Sequence, residues 1–120
     1  MINKVVLLGN LVKDPELKAI QSKSKYYTRV IIAINRNFKS STGIKEADFV
    51  PVVFWGKKAE ILCKYVKKGD SISISGTLRT SNYEDENGNK RYKIEVCAEE
   101  FNFINTKKVK DNILDKTVVE

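Results

Sequence analysis

Two periods run through the chain. Apolar and polar positions alternate over most of its length, the two-residue repeat of a half-buried strand, and one central stretch repeats at 3.6 instead. Asn3–Leu11 is an extended run stopped by the turn pair Asp14-Pro15, and a short extended piece, Leu17–Ile20, precedes the polar stretch Gln21–Lys25. Tyr26–Asn35, rich in aromatic and β-branched residues, carries the strongest strand signal, and Ser40–Gly43 reads as a loop. Asp48–Trp55 is the next strand. Its internal Pro51 requires an edge position, a bulge, or a backbone nitrogen facing away from any partner.

The helical stretch is Lys57–Lys68, where Ala59, Leu62, Cys63 and Val66 fall on one face, widened by Ile61 and Tyr65. Lys67 and Lys68 suit a helix C-terminus, and Gly69 suits the residue after it. Beyond the helix, Ile72, Ile74, Gly76 and Leu78 alternate with serines and Thr77, and Gly76 in the apolar file suggests a bend or a close backbone contact. Asn87-Gly88 marks a hairpin between Thr77–Tyr83 and Lys90–Val96, the last strand reaching Ile104 through Phe101 and Phe103.

Five strands of unequal length, with one helix between the third and fourth, predict an all-β, five-stranded Greek-key barrel, the OB-fold arrangement, because so small a sheet with one helix cannot otherwise cover both faces. Residues 1–104 form this domain. Residues 105–120 lose all periodicity and are expected to be a flexible C-terminal segment.

At 120 residues the chain suits one small domain, and the longest apolar run, Val30–Ile34, is far below the roughly 18 residues of a membrane-spanning helix. The N-terminal apolar stretch is too short for a secretory signal core. Cys63 and Cys97 stand far apart, expected as two buried, reduced thiols. With no histidine, His-based nucleophile relays and His-ligated zinc are excluded. Adjacent Glu99 and Glu100 point to opposite faces of a strand, and Asp85-Asn87-Asn89 lacks the glycine of a calcium loop, so Glu84-Asp85-Glu86 reads as a solvated hairpin tip. No convergent catalytic set can be assembled, so the expectation is a protein without enzymatic activity, cofactor or metal.

The net charge of +7 is uneven: residues 1–40 carry +6, residues 41–80 carry +3, and residues 81–120 carry −2. A basic field on a folded barrel attracts polyanions. Aromatic residues are interleaved with these cations at strand ends: Phe38 beside Arg36 and Lys39, Phe49, Trp55 just before Lys57-Lys58, and Tyr83 after Arg79. Such rings serve as stacking platforms for bases while Lys and Arg neutralise phosphates, although Phe49 and Trp55 could also pack in the barrel core. Phe54, Phe101 and Phe103 read as core or interface, and Tyr26 and Tyr27 stay open because neighbours on a strand cannot both face inward.

The chain resembles the bacterial single-stranded DNA-binding proteins over 1–104. The resemblance rests on Asn3-Lys4-Val5-Val6-Leu7-Leu8-Gly9-Asn10-Leu11, Asp14-Pro15-Glu16-Leu17, Asp48-Phe49, Val52-Val53-Phe54-Trp55-Gly56-Lys57, Ala59-Glu60, Tyr65-Val66-Lys67-Lys68-Gly69, Gly76-Thr77-Leu78-Arg79-Thr80 and the hairpin from Tyr83 to Asn87-Gly88. It implies an OB-fold that binds and protects single-stranded DNA without sequence preference during replication, recombination and repair. It also implies a homotetramer, or alternatively a dimer, with Asn3–Leu11 at the subunit interface, in the cytoplasm at the bacterial nucleoid or encoded by a phage or mobile element. The family's stacking positions map onto Phe38, Phe49, Trp55 and Tyr83; Arg29, Arg36, Lys39, Lys45, Lys57, Arg79 and Lys90 are the expected phosphate contacts.

Two departures stand out. The chain ends Asp115-Lys116-Thr117-Val118-Val119-Glu120, without the family's usual acidic, Pro-Phe-tipped tail that recruits replication and repair proteins, so the expectation is either a truncated chain or a tail-less variant, with recruitment of those proteins left open. Ser81, Asn82 and Pro51 also stand where some members carry cations. A protein-binding OB adaptor and an RNA-binding OB domain are the competing uses of the same barrel.

Overall fold

The computed structural model describes residues 1–20, 25–39, 43 and 45–104, with 37–39 and 45 described by backbone alone. The elements are β1 (Val5–Leu11), β2 (Lys18–Ile20), β3 (Lys25–Lys39), β4 (Lys45–Trp55), α1 (Lys57–Tyr65), β5 (Ser71–Glu84) and β6 (Lys90–Ile104). The sheet runs β1-β5-β6-β4-β3-β2, and β1 also pairs with β3, which closes β1, β3, β4, β5 and β6 into a five-stranded barrel. This is the predicted OB-fold, with β2 as a short sixth strand on the rim of β3. The expected C-terminal segment, 105–120, and most of the loop around Ser40 lie outside the described residues.

Closure depends on β1 serving two partners. Residues Val5 to Asn10 pair with β5, and Asn10 and Leu11 pair with β3. At this crossing an added Cβ on Gly9 would lie 2.4 Å from Ile32 Cγ2 and 2.6 Å from the Ala33 carbonyl oxygen. Only a glycine lets the strands approach so closely. The core beneath contains Leu11, Val30, Ile32, Val52, Phe54, Ile72, Ile74 and Val96, from one face of each barrel strand, together with Leu62 of α1.

Pro51 fits because Ile31, its register partner on β3, gives its carbonyl to the Val12 N–H on the other side. Ile31 and Pro51 therefore form a non-hydrogen-bonded antiparallel pair. The parallel β4–β6 ladder begins one residue later, at Val52.

Several boundaries differ from expectation. The helix ends at Tyr65, not Lys68: Val66 turns to an extended conformation (φ −112°, ψ 135°) and buries its side chain in the core. The next backbone amides are taken by carboxylates, Lys67 N–H by Asp70 at 2.9 Å and Lys68 N–H by Asp14 at 2.7 Å, and Gly69 (φ 88°) lies in the turn that follows. Asn3 stands outside β1, but its side-chain amide bonds both backbone groups of Leu78 (2.8 and 2.9 Å), continuing the β1–β5 ladder with a side chain. β3, β4 and β5 each run longer than predicted. Cys63 and Cys97 are free but half-buried rather than buried, because Cys63 stands at the margin of the inward face of α1 and Cys97, between inward-facing Val96 and Ala98, points to the outer side of β6. Burial still pushes the Cys63 thiol above its ordinary range.

The suspected irregularity at Gly76 is a bulge. Ser75 pairs with Glu100 and Gly76 with Ala98, so Glu99 is the extra residue on β6. The insertion switches the inward-facing parity of β6 from Val96 and Ala98 to Phe101 and Phe103, which keeps both pairs against the core.

Candidate functional site

On β3 the even residues Thr28, Val30 and Ile32 point into the barrel, which leaves Tyr27, Arg29 and Ile31 on the outside. Register carries this outer face across the sheet. Tyr27 lies opposite Trp55 and Ala33 opposite Phe49 on β4, Val53 opposite Cys97 on β6, and Cys97, Glu95 and Arg91 opposite Thr77, Arg79 and Tyr83 on β5. Phe49, Trp55, Tyr83, Arg29 and Arg79 therefore share one continuous surface.

The rings on it are open to solvent: Phe49 is 61% exposed, Tyr83 51% and Trp55 42%. The core placement considered for Phe49 and Trp55 does not occur; Phe54, their inward-facing neighbour, is fully buried instead. Trp55 packs against Tyr27 with centroids 5.3 Å apart and planes inclined by 36°, which holds the indole in place while leaving part of it free. Tyr27 was an open position in the sequence. Its two-residue spacing from Arg29 was the signal that could have placed it outside.

Beside these rings is a groove of about 680 Å³, lined by Lys13, Lys18, Tyr27, Arg29, Ile31 and Phe49 together with Asp14 and Glu16. It joins the β1–β2 connection to the outer face, a contribution from Lys13 and Lys18 that sequence reasoning missed. At the tip of the β5–β6 arm, Tyr83 and Lys90 border a smaller depression. The tip is rigidified by Asp85, which accepts hydrogen bonds from the Asn87 and Asn89 amides (both 2.9 Å) and from Arg91 Nε (2.8 Å). Those bonds, that from Asn89 foremost, hold the Asp85 carboxyl below its ordinary range.

The other expected cations are distributed differently. Arg29 is paired with Glu95 at 3.2 Å. Arg36 is on the opposite face of the β3–β4 hairpin from Phe49, bonded to Asp48 at 2.9 Å and Glu46 at 3.0 Å, and its guanidinium holds the Asp48 carboxyl below the usual range. Lys57 is exposed at the first position of α1, two residues after Trp55, and Arg79 is exposed on the arm. The side chains of Phe38, Lys39 and Lys45 lie outside the described residues. The described residues contain no group of three or more potential metal-ligating side chains, and no described helix is long and apolar enough to cross a membrane.

An exposed row of rings flanked by cations can stack flat heteroaromatic groups and neutralise the phosphates between them. The family profile described as "Single-strand binding protein family" matches residues 2–104. The chain belongs to this family. Among curated relatives it is 41% identical to Single-stranded DNA-binding protein 1 of Clostridium acetobutylicum over 107 residues, 89% of this chain and 97% of that protein. It is 47% identical to the Single-stranded DNA-binding protein of Clostridium tetani over 103 residues, 86% of this chain and 70% of the other. Single-stranded DNA-binding protein 1 of Streptococcus pyogenes serotype M18 is 43% identical over 122 residues, covering 96% and 93%. The family is a DNA-binding family, not an enzyme family.

Proposed function

We propose that this protein binds and protects single-stranded DNA without sequence preference, as a non-enzymatic coat during replication, recombination and repair. The observation that carries the reading is the single outer face on which Tyr27, Phe49, Trp55 and Tyr83 stand among Arg29, Arg79, Lys18 and Lys13. Rings accept any base, since every base has a π-face, and cations take the phosphates, so affinity arises with little sequence preference. The names of the relatives support the same ligand. Of the expected contacts, Phe49, Trp55 and Tyr83 act as stacking platforms with Tyr27 added, and Arg79, Lys57, Lys90 and Arg29 face phosphates. Phe38, Lys39 and Lys45 keep the roles expected of them, and Arg36 contributes only if it leaves its carboxylates. Assembly as a homotetramer through β1 is supported by Val6 and Leu8, which are 70% and 56% exposed on that strand. The bacterial cytoplasm, at the nucleoid or at phage or mobile-element DNA, is the matching place of action.

Trp55 is the chain's only tryptophan, so its fluorescence reports the site directly. Titration with polythymidine is expected to quench it, with affinity falling as salt rises. Absence of quenching, or quenching indifferent to salt, overturns the proposal; tighter binding of a matched RNA oligomer would redirect it to RNA.

A further inference from the structure

At the centre of the outer face stands a carboxylate, an unfavourable group on a surface meant for a polyanion. Glu95 Oε1 is 3.2 Å from Arg29 Nε and 3.7 Å from Lys93 Nζ, and Arg79 is directly across the β5–β6 ladder. The carboxylate is the more enclosed partner, its side chain 18% exposed against 45% for Arg29 and 42% for Lys93. Two cations thus converge on one oxygen, as they would on a phosphate oxygen. Arg29 follows Tyr27 by two residues on β3 and shares the groove with Phe49, so a backbone linking bases stacked on Phe49 and Trp55 passes it.

We propose that Glu95 is a built-in stand-in for a strand phosphate: it holds Arg29 and Lys93 in the free protein, is displaced from them on binding, and thereby limits the affinity of the site. This rests on the single-stranded DNA reading above. The hold is weak enough for exchange, because Arg29 uses one Nε contact rather than the two-point fork of a strong guanidinium–carboxylate pair and both cations are half in water. The carboxylate also repels an incoming phosphate, a cost that is the same for a strand with bases and for one without them.

The test is titration of wild type, E95Q and E95D with oligothymidine and with an abasic strand of equal length across a salt series, with urea unfolding to verify the fold. E95Q is expected to bind both strands on the order of five-fold more tightly. Its dependence of log affinity on log salt should steepen by up to about 0.7, because the wild-type carboxylate offsets one of the two positive charges that Arg29 and Lys93 set against phosphate. E95D, which keeps the charge, should retain the wild-type slope. E95Q binding that is equal or weaker with an unaltered slope would reduce Glu95 to an anchor for Arg29 and overturn the inference alone. If wild type fails to bind oligothymidine, the parent reading falls and takes this one with it. Should E95Q not fold, R29Q decides: release of Arg29 to phosphate predicts a slope shallower by about 0.7, and an unchanged slope overturns it.

Discussion

Gly76 lies where β5 meets the bulge of β6, and an added Cβ would be 2.1 Å from the Cys97 carbonyl oxygen and 3.0 Å from Ala98 Cα. Both are backbone atoms of a paired strand, so the conflict cannot be relieved by rotating a side chain. Gly76→Ala is expected to destabilise the protein by about 1–3 kcal/mol in urea unfolding, the range for overpacking a tight site. The interruption of the apolar file at this position was visible in the sequence; the atom it must avoid was not, since Cys97 is brought there only by the β5–β6 register. Phe49 and Trp55 show the same division. Their placement beside cations was legible, whereas their exposure depended on which parity of β4 faced the core, and Val50, Val52 and Phe54 decided that.

The helix and the hairpin are the elements whose local chemistry is easiest to test. Leu62 is fully buried on α1, which packs on β3 and β4, and Leu62→Ala should cost about 2–5 kcal/mol in the same unfolding assay. At the hairpin tip the Asp85 carboxyl is held low by the Asn89 amide and by Arg91. A depressed carboxyl stabilises the folded state above its unfolded value, about pH 4, and the contribution is lost as pH falls through the folded value. Asp85→Asn should therefore flatten the acid limb of the melting temperature below about pH 4, while the wild-type limb stays steeper. Asn87-Gly88 announced this turn in the sequence; the grip of Asp85 on Arg91 was not announced, because it spans the turn.

For the molecule as a whole, affinity divides into stacking and charge, and substitutions should separate the two. Phe49→Ala and Trp55→Ala are each expected to weaken oligothymidine binding by about 1–3 kcal/mol, measured by calorimetry, with the salt dependence unchanged. Arg79→Gln should weaken it less at high salt than at low, and reduce the slope of log affinity against log salt by about 0.7. Equal effects of ring and cation variants on that slope would contradict the assignment of the outer face.

By itself the sequence determined the period of each element, the five strands of the barrel, the single helix, the hairpin turn, the basic balance and the set of rings, because these depend on residues near one another along the chain. Tertiary structure decided which cations are free. Arg29 and Arg36 look alike in sequence, yet one is beside Glu95 on the ringed face and the other beside Asp48 and Glu46 on the opposite side of a hairpin. Ion pairing depends on distances of a few ångströms across strands, and those distances are set by register and bulges. The same is true of barrel closure, where Gly9 lets β1 cross β3 at a contact between residues more than twenty positions apart.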